Sequence, residues 1–183
     1  MGAFQQDPRQ THITLIEDYK MEKWKVPSVE FKTRLAGEWV KRTSEDYFKD
    51  KKVVLFSLPG AFTPTCSEKQ LPEYEKQYDK FLNRGIDEIY CISVNDAFVM
   101  NAWADSQKIE KVKFIPDGSA KFTRGMGMLV EKDDKGFGYR SWRYAAIIND
   151  GVIEEFFEEP GFSDNCTSDP FVVSNAENVL LNC

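Results

Sequence analysis

Two hydrophobic periods take turns along this chain of 183 residues, and their order sets out an architecture. Residues 52–58 (KVVLFSL) and 88–94 (EIYCISV) are nearly continuous apolar runs, the pattern of strands covered on both faces. Pro59-Gly60 breaks the first run. From about Pro64 the spacing changes to threes and fours through Leu71, Tyr74, Tyr78, Phe81 and Leu82, which predicts a helix ending at Gly85. Pro72 lies inside that pattern and should bend it. Asn95-Asp96 predict the cap of a second helix bearing Phe98, Val99, Trp103 and Ile109. A short strand over 113–115 ends at Pro116-Asp117-Gly118, and 119–126 read as a short helix. Runs over 142–148 and 152–157 flank Asn149-Asp150-Gly151, a hairpin signal. Residues 132–138 form a polar, glycine-bearing loop, and Ser174 predicts the cap of a last helix carrying Val179, Leu180 and Leu181.

The order β-α-β-α, hairpin, α predicts an α/β protein with the core of a thioredoxin-like fold, a central mixed β-sheet flanked by helices. A domain over 26–183 follows an extension, 1–25, with no assignable role. The length suits one domain.

Composition narrows the function. The net charge is -6 with 30% charged residues, an acidic balance that speaks against nucleic-acid binding. No window approaches the 18 or so apolar residues of a spanning helix, so no membrane partner is expected. The first twenty residues lack a basic segment followed by an apolar one, and Asp7, Glu17 and Asp18 argue against a transit peptide. A cytoplasmic address is the expectation. The four cysteines (Cys66, Cys91, Cys166, Cys183) are too scattered for a disulfide scaffold, and no Cys-x-x-Cys occurs. With His12 the single histidine, neither a Cys-His pair nor a metal site is expected, and no cofactor is implied.

The chemistry concentrates at residues 59–66, Pro-Gly-Ala-Phe-Thr-Pro-Thr-Cys, where the first strand meets the first helix. A thiol in the first turn of a helix sits among unpaired N–H groups at the positive end of the macrodipole. Such a position favours thiolate, the nucleophilic form. On local pattern alone, Cys66 also fits a buried, inert residue. Thr63 stands where a dithiol motif would carry its first sulfur, which leaves a solitary reactive cysteine.

Pro59-x-x-x-Thr63-x-x-Cys66, within LPGAFTPTCS, resembles the active-site motif of the peroxiredoxin-5, or type II, peroxiredoxins. The likeness continues through 93–100 (SVNDAFVM), 114–118 (FIPDG), 125–128 (GMGM) and 140–144 (RSWRY), so it spans about 26–181. It is nearest to the bacterial forms found alone or fused to glutaredoxin.

The resemblance implies a thiol peroxidase that reduces hydrogen peroxide and alkyl hydroperoxides without metal or prosthetic group. It makes Cys66 the peroxidatic cysteine, oxidised to a sulfenic acid. Thr63 would hydrogen-bond the thiolate and the peroxide, Pro59 would shield the pocket, and Arg143, opening the strand RYAAII, would stabilise the departing oxygen. Arg140 reads instead as a loop cation. Glutathione with glutaredoxin is the expected reductant. The rival is thioredoxin with Cys166, in the polar loop 163–169, as resolving cysteine; a redox-sensing interaction protein is a further alternative. Cys91, inside the second strand, fits a core residue. A homodimer through loops near the site, with Phe62 exposed, is also expected.

A lowered thiol pKa raises the thiolate fraction but weakens each thiolate, so the net gain is only about a few-fold. Donors aimed at the departing oxygen must supply most of the rate.

Overall fold

The computed structural model describes residues 24–183. His12, Asp7, Glu17 and Asp18, and most of the expected extension, lie outside the described residues. Trp24 and Lys25, counted with that extension, already line the sheet edge. Trp24 accepts a bond from the Ile153 N–H at 2.6 Å, and Lys25 bridges Val152.

The elements in chain order are β1 (Glu30–Leu35), β2 (Glu38–Thr43), α1 (Ser44–Phe48), β3 (Lys52–Ser57), a π turn (Cys66–Gln70) running into α2 (Leu71–Leu82), β4 (Glu88–Ser93) and α3 (Ala97–Gln107). Then follow β5 (Lys113–Pro116), α4 (Lys121–Gly125), β6 (Leu129–Glu131), β7 (Tyr139–Ser141), β8 (Tyr144–Asn149), β9 (Val152–Glu158) and α5 (Ala176–Leu181). Five strands form the central sheet in the order β5-β4-β3-β8-β9. β3 pairs in parallel with β4 and antiparallel with β8, so the sheet is mixed.

Both faces of β3 are covered, and its apolar run divides by alternation. Val54 and Phe56 enter one core with Cys66, Leu71, Tyr74, Phe81, Cys91 and Trp103. Val53 and Leu55 enter the other with Phe48, Tyr90, Phe122 and Trp142. Phe56 and Tyr74 stack with ring centroids 4.1 Å apart, fastening α2 to β3 beneath the π turn.

Several expectations are refined. The bend expected at Pro72 takes the form of the π turn. Proline lacks a donor there, and the helix widens before it, with the Leu71 N–H reaching the Cys66 carbonyl. Ile109 falls beyond the second helix, because Lys108 turns left-handed and ends it. The last helix is capped by Asn175, whose Oδ1 accepts from the Asn178 N–H at 2.9 Å. Ser174 donates its N–H and hydroxyl to Glu159 Oε1 instead, each at 2.8 Å. The β8–β9 turn forms at Asp150-Gly151, both with positive φ. The hairpins β1–β2 and β6–β7 were not anticipated.

Candidate active site

The residues after β3 form the loop that leads to Cys66. Pro59 and Gly60 leave the strand, and the Ala61 N–H donates to Asn95 Oδ1 at 3.0 Å, which ties the loop to the end of β4. Phe62 takes a positive φ and is 56% exposed, as expected. Pro64 and Thr65 start the helix, and Cys66 follows in its first turn.

Cys66 is 0% exposed. Its sulfur lies 3.5 Å from Arg143 Nη1, which donates to it. Arg143 comes from just before β8, the strand beside β3, so the sheet register brings together residues 77 positions apart. The guanidinium is 2% exposed and doubly anchored. Nη1 also donates to Gln70 Oε1, and Nη2 donates to Asp169 Oδ1 at 2.6 Å. The Phe171 ring lies 5.7 Å from the guanidinium carbon. Among the described residues, Arg143 Nε and Gln70 Nε2 are buried without a hydrogen-bond partner.

Burial works against the Arg143 cation, but the neighbouring Cys66 and Asp169 outweigh it and raise its pKa. Burial likewise pushes the Asp169 carboxyl up. The Arg143 charge and bonds from Arg143 and Thr65 overcome that and hold it below the usual carboxylate range.

The expected site residues do not all sit as foreseen. Cys66 and Arg143 meet. The Thr63 hydroxyl donates to the Gly60 carbonyl at 2.7 Å rather than to sulfur, so its lone pairs, not its proton, remain to offer. The Pro59 carbonyl lies 3.5 Å from Arg140 Nη1. Arg140 is not a loop cation: it belongs to β7 and is half-buried. Cys91 faces the same core as Cys66, and burial pushes its thiol well up. Cys166 packs against the opposite core, across the sheet. The hydroxyl of Ser168, 3.2 Å away, lowers its thiol pKa. Among the described residues no cluster of three or more His, Cys, Asp or Glu could hold a metal, and no helix is long and apolar enough to cross a membrane.

Sequence reasoning missed Gln70 and Asp169. Gln70 carried a signal: positions 66, 70, 74 and 78 fall at intervals of four, which places an amide on the buried face of the helix. Asp169 had none, since it lies in an irregular segment.

A mixed sheet with a buried cysteine at the junction between its first strand, β3, and the helix that follows, met by a buried arginine, defines a thiol-based redox protein of thioredoxin-like fold. The Redoxin family model matches residues 22–180. The chain is 60% identical over 167 residues to a peroxiredoxin of Sinorhizobium fredii, covering 86% of this chain and 89% of that one. It is 52% identical over 160 residues to the hybrid peroxiredoxin hyPrx5 of Haemophilus influenzae, covering 87% of this chain and 65% of that longer one. Among solved structures, the Plasmodium falciparum antioxidant protein, a 1-Cys peroxiredoxin, superposes with a TM-score of 0.82 at 38% identity, covering 85% of this chain and 93% of that one. This chain belongs to the peroxiredoxins, and it is a thiol peroxidase.

Proposed function

We propose that Cys66 is the peroxidatic cysteine, that Arg143 and Thr63 act on the peroxide with Pro59 backing the pocket, and that an external thiol, glutathione with glutaredoxin, regenerates the enzyme. Hydrogen peroxide and alkyl hydroperoxides are the substrates. The observation that carries this reading is the 3.5 Å approach of Arg143 Nη1 to the Cys66 sulfur inside a buried site.

In this mechanism the Cys66 sulfur attacks one peroxide oxygen, the O–O bond breaks, and the other oxygen leaves with the bonding pair. A guanidinium has five hydrogens. Two of Nη1 serve Cys66 and Gln70 and one of Nη2 serves Asp169, which leaves the second Nη2–H for the departing oxygen. Thr63, having given its proton to Gly60, accepts from the peroxide O–H. The partnerless Nε–H and Gln70 amide support a polar guest here, since a buried donor left unpaired costs about 1–3 kcal/mol. A protonated leaving oxygen departs as water or alcohol, and Cys66 is left as sulfenic acid. A reducing thiol then attacks that sulfur, forms an S–S bond and expels water. A second thiol releases Cys66 and carries the disulfide away.

Both candidates for an internal partner face obstacles: Cys91 is locked inside β4, and Cys166 packs against the core on the other face of the sheet. Peroxide consumption measured in parallel with glutathione/glutaredoxin and with thioredoxin is the test. Turnover with thioredoxin alone, lost in Cys166→Ser, overturns the external-thiol reading. We also infer a homodimer through the loops around Phe62. Light scattering at micromolar concentration should give twice the 21.1 kDa chain mass, and a constant 21.1 kDa species contradicts it. The cytoplasmic address belongs to the same reading, and cell fractionation checks it.

A further inference from the structure

We propose that Asp169 is a positioning residue for peroxide cleavage: it fixes the far nitrogen of the Arg143 fork, so that the hydrogen left on that nitrogen points at the departing oxygen. The proposal rests on the reading of Arg143 given above and adds a residue that neither the motif nor the comparisons assign.

The segment between β9 and α5 has no regular structure, yet it is fastened at both ends of the contact. Glu159 Oε1 accepts from the N–H groups of Val172 and Val173 at 2.8 and 2.9 Å, and from Ser174 twice. Between these ties, Asp169 meets Nη2 at 2.6 Å and Phe171 covers the guanidinium carbon. One loop side chain thus fixes the catalytic cation from a segment far along the chain from the nucleophile.

A planar fork held at Nη1 alone can pivot about that nitrogen. Held at Nη1 by Gln70 and at Nη2 by Asp169, its plane is set, and with it the direction of the remaining Nη2–H. Catalysis by fixed donors depends on such prior orientation. Charge gives a second reason. Once the sulfur carries oxygen it no longer balances the buried guanidinium, whereas Asp169 remains as counterion through the cycle.

A tie that merely folds the loop would not distinguish one reaction of Cys66 from another, and this allows a test on the full chain. Single-turnover oxidation of Cys66 by hydrogen peroxide needs donors on the leaving oxygen. Alkylation by iodoacetamide expels iodide, which needs none. In Asp169→Asn the peroxide rate constant should fall tenfold or more while alkylation of Cys66, followed by peptide mass spectrometry, stays within threefold. A peroxide rate within threefold of the parent, or both reactions falling together, overturns the proposal. Asp169→Glu keeps the charge and should recover most of the loss; a loss equal to that of Asn also overturns it. Arg143→Lys, measured alongside, separates the two readings. If that variant keeps the parent peroxide rate, the arginine role fails and this proposal falls with it. If only Asp169→Asn keeps it, the arginine role stands and Asp169 alone is dismissed.

Discussion

Around the sulfur, the four cysteines have been placed in four different environments, and environment decides their chemistry. Cys66 has a guanidinium for a neighbour. Cys91 has apolar side chains, and burial drives its thiol pKa up. Cys183 donates to the Val179 carbonyl at 3.3 Å, and burial raises it as well. Cys166, at the surface, is lowered chiefly by the Ser168 hydroxyl. Among the three cysteines outside the site, native-state alkylation at pH 7 should therefore label Cys166 first, then Cys183, with Cys91 last. Peptide mapping by mass spectrometry checks the order, and Cys91 labelled ahead of Cys166 would show that β4 opens readily. The lowered carboxyl of Asp169 carries a pH dependence of known sign. A depressed folded pKa means that the folded state resists protonation, so its stabilisation is full at neutral pH. It fades as pH falls from about the ordinary 3.8 through the lower folded value.

At the scale of elements, the segment from Glu159 to Ser174 matters more than its lack of helix or strand suggests. Glu159 is fully buried, and one of its oxygens gathers four donors. Glu159→Ala leaves those donors without their acceptor, which should cost about 2–4 kcal/mol and lower Tm by on the order of 10 °C. Thermal unfolding checks this, and a Tm within 2 °C or so of the parent would mean that the strap holds by other contacts.

This segment also marks where the sequence stops being readable. β3 and β4 were legible because burial on both faces writes itself as an apolar run, and β8–β9 because Asp150-Gly151 demands two positive φ values. The β1–β2 hairpin escaped because its strands are half-exposed and its turn, Ala36-Gly37, puts an alanine at positive φ. Cys66 and Arg143 were legible through the motif. Asp169 and the strap were not, because side-chain-to-backbone ties across 13 to 15 residues follow no period.

Over the whole molecule, the sheet is the device that assembles the site. β3 delivers the cysteine loop, the register with β8 delivers the arginine, and β9 leads into the strap that holds it. The assembled site hides its sulfur completely, so peroxide and thiol alike reach it only when something moves. Thr63 and Thr65 are only half-buried and Pro64 is exposed, so a thin layer separates sulfur from solvent on that side. The π turn sits at the nucleophile itself, in keeping with the recurrence of such single widened turns at functional sites.

All of this turns on Arg143 acting in the chemical step. The direct measurement is the rate of sulfenic acid formation at Cys66 in a single turnover with hydrogen peroxide, by rapid quench and dimedone trapping, in the parent and in Arg143→Lys. Losing the planar fork while keeping the charge should slow this step roughly a hundredfold. A rate within threefold of the parent would contradict the account.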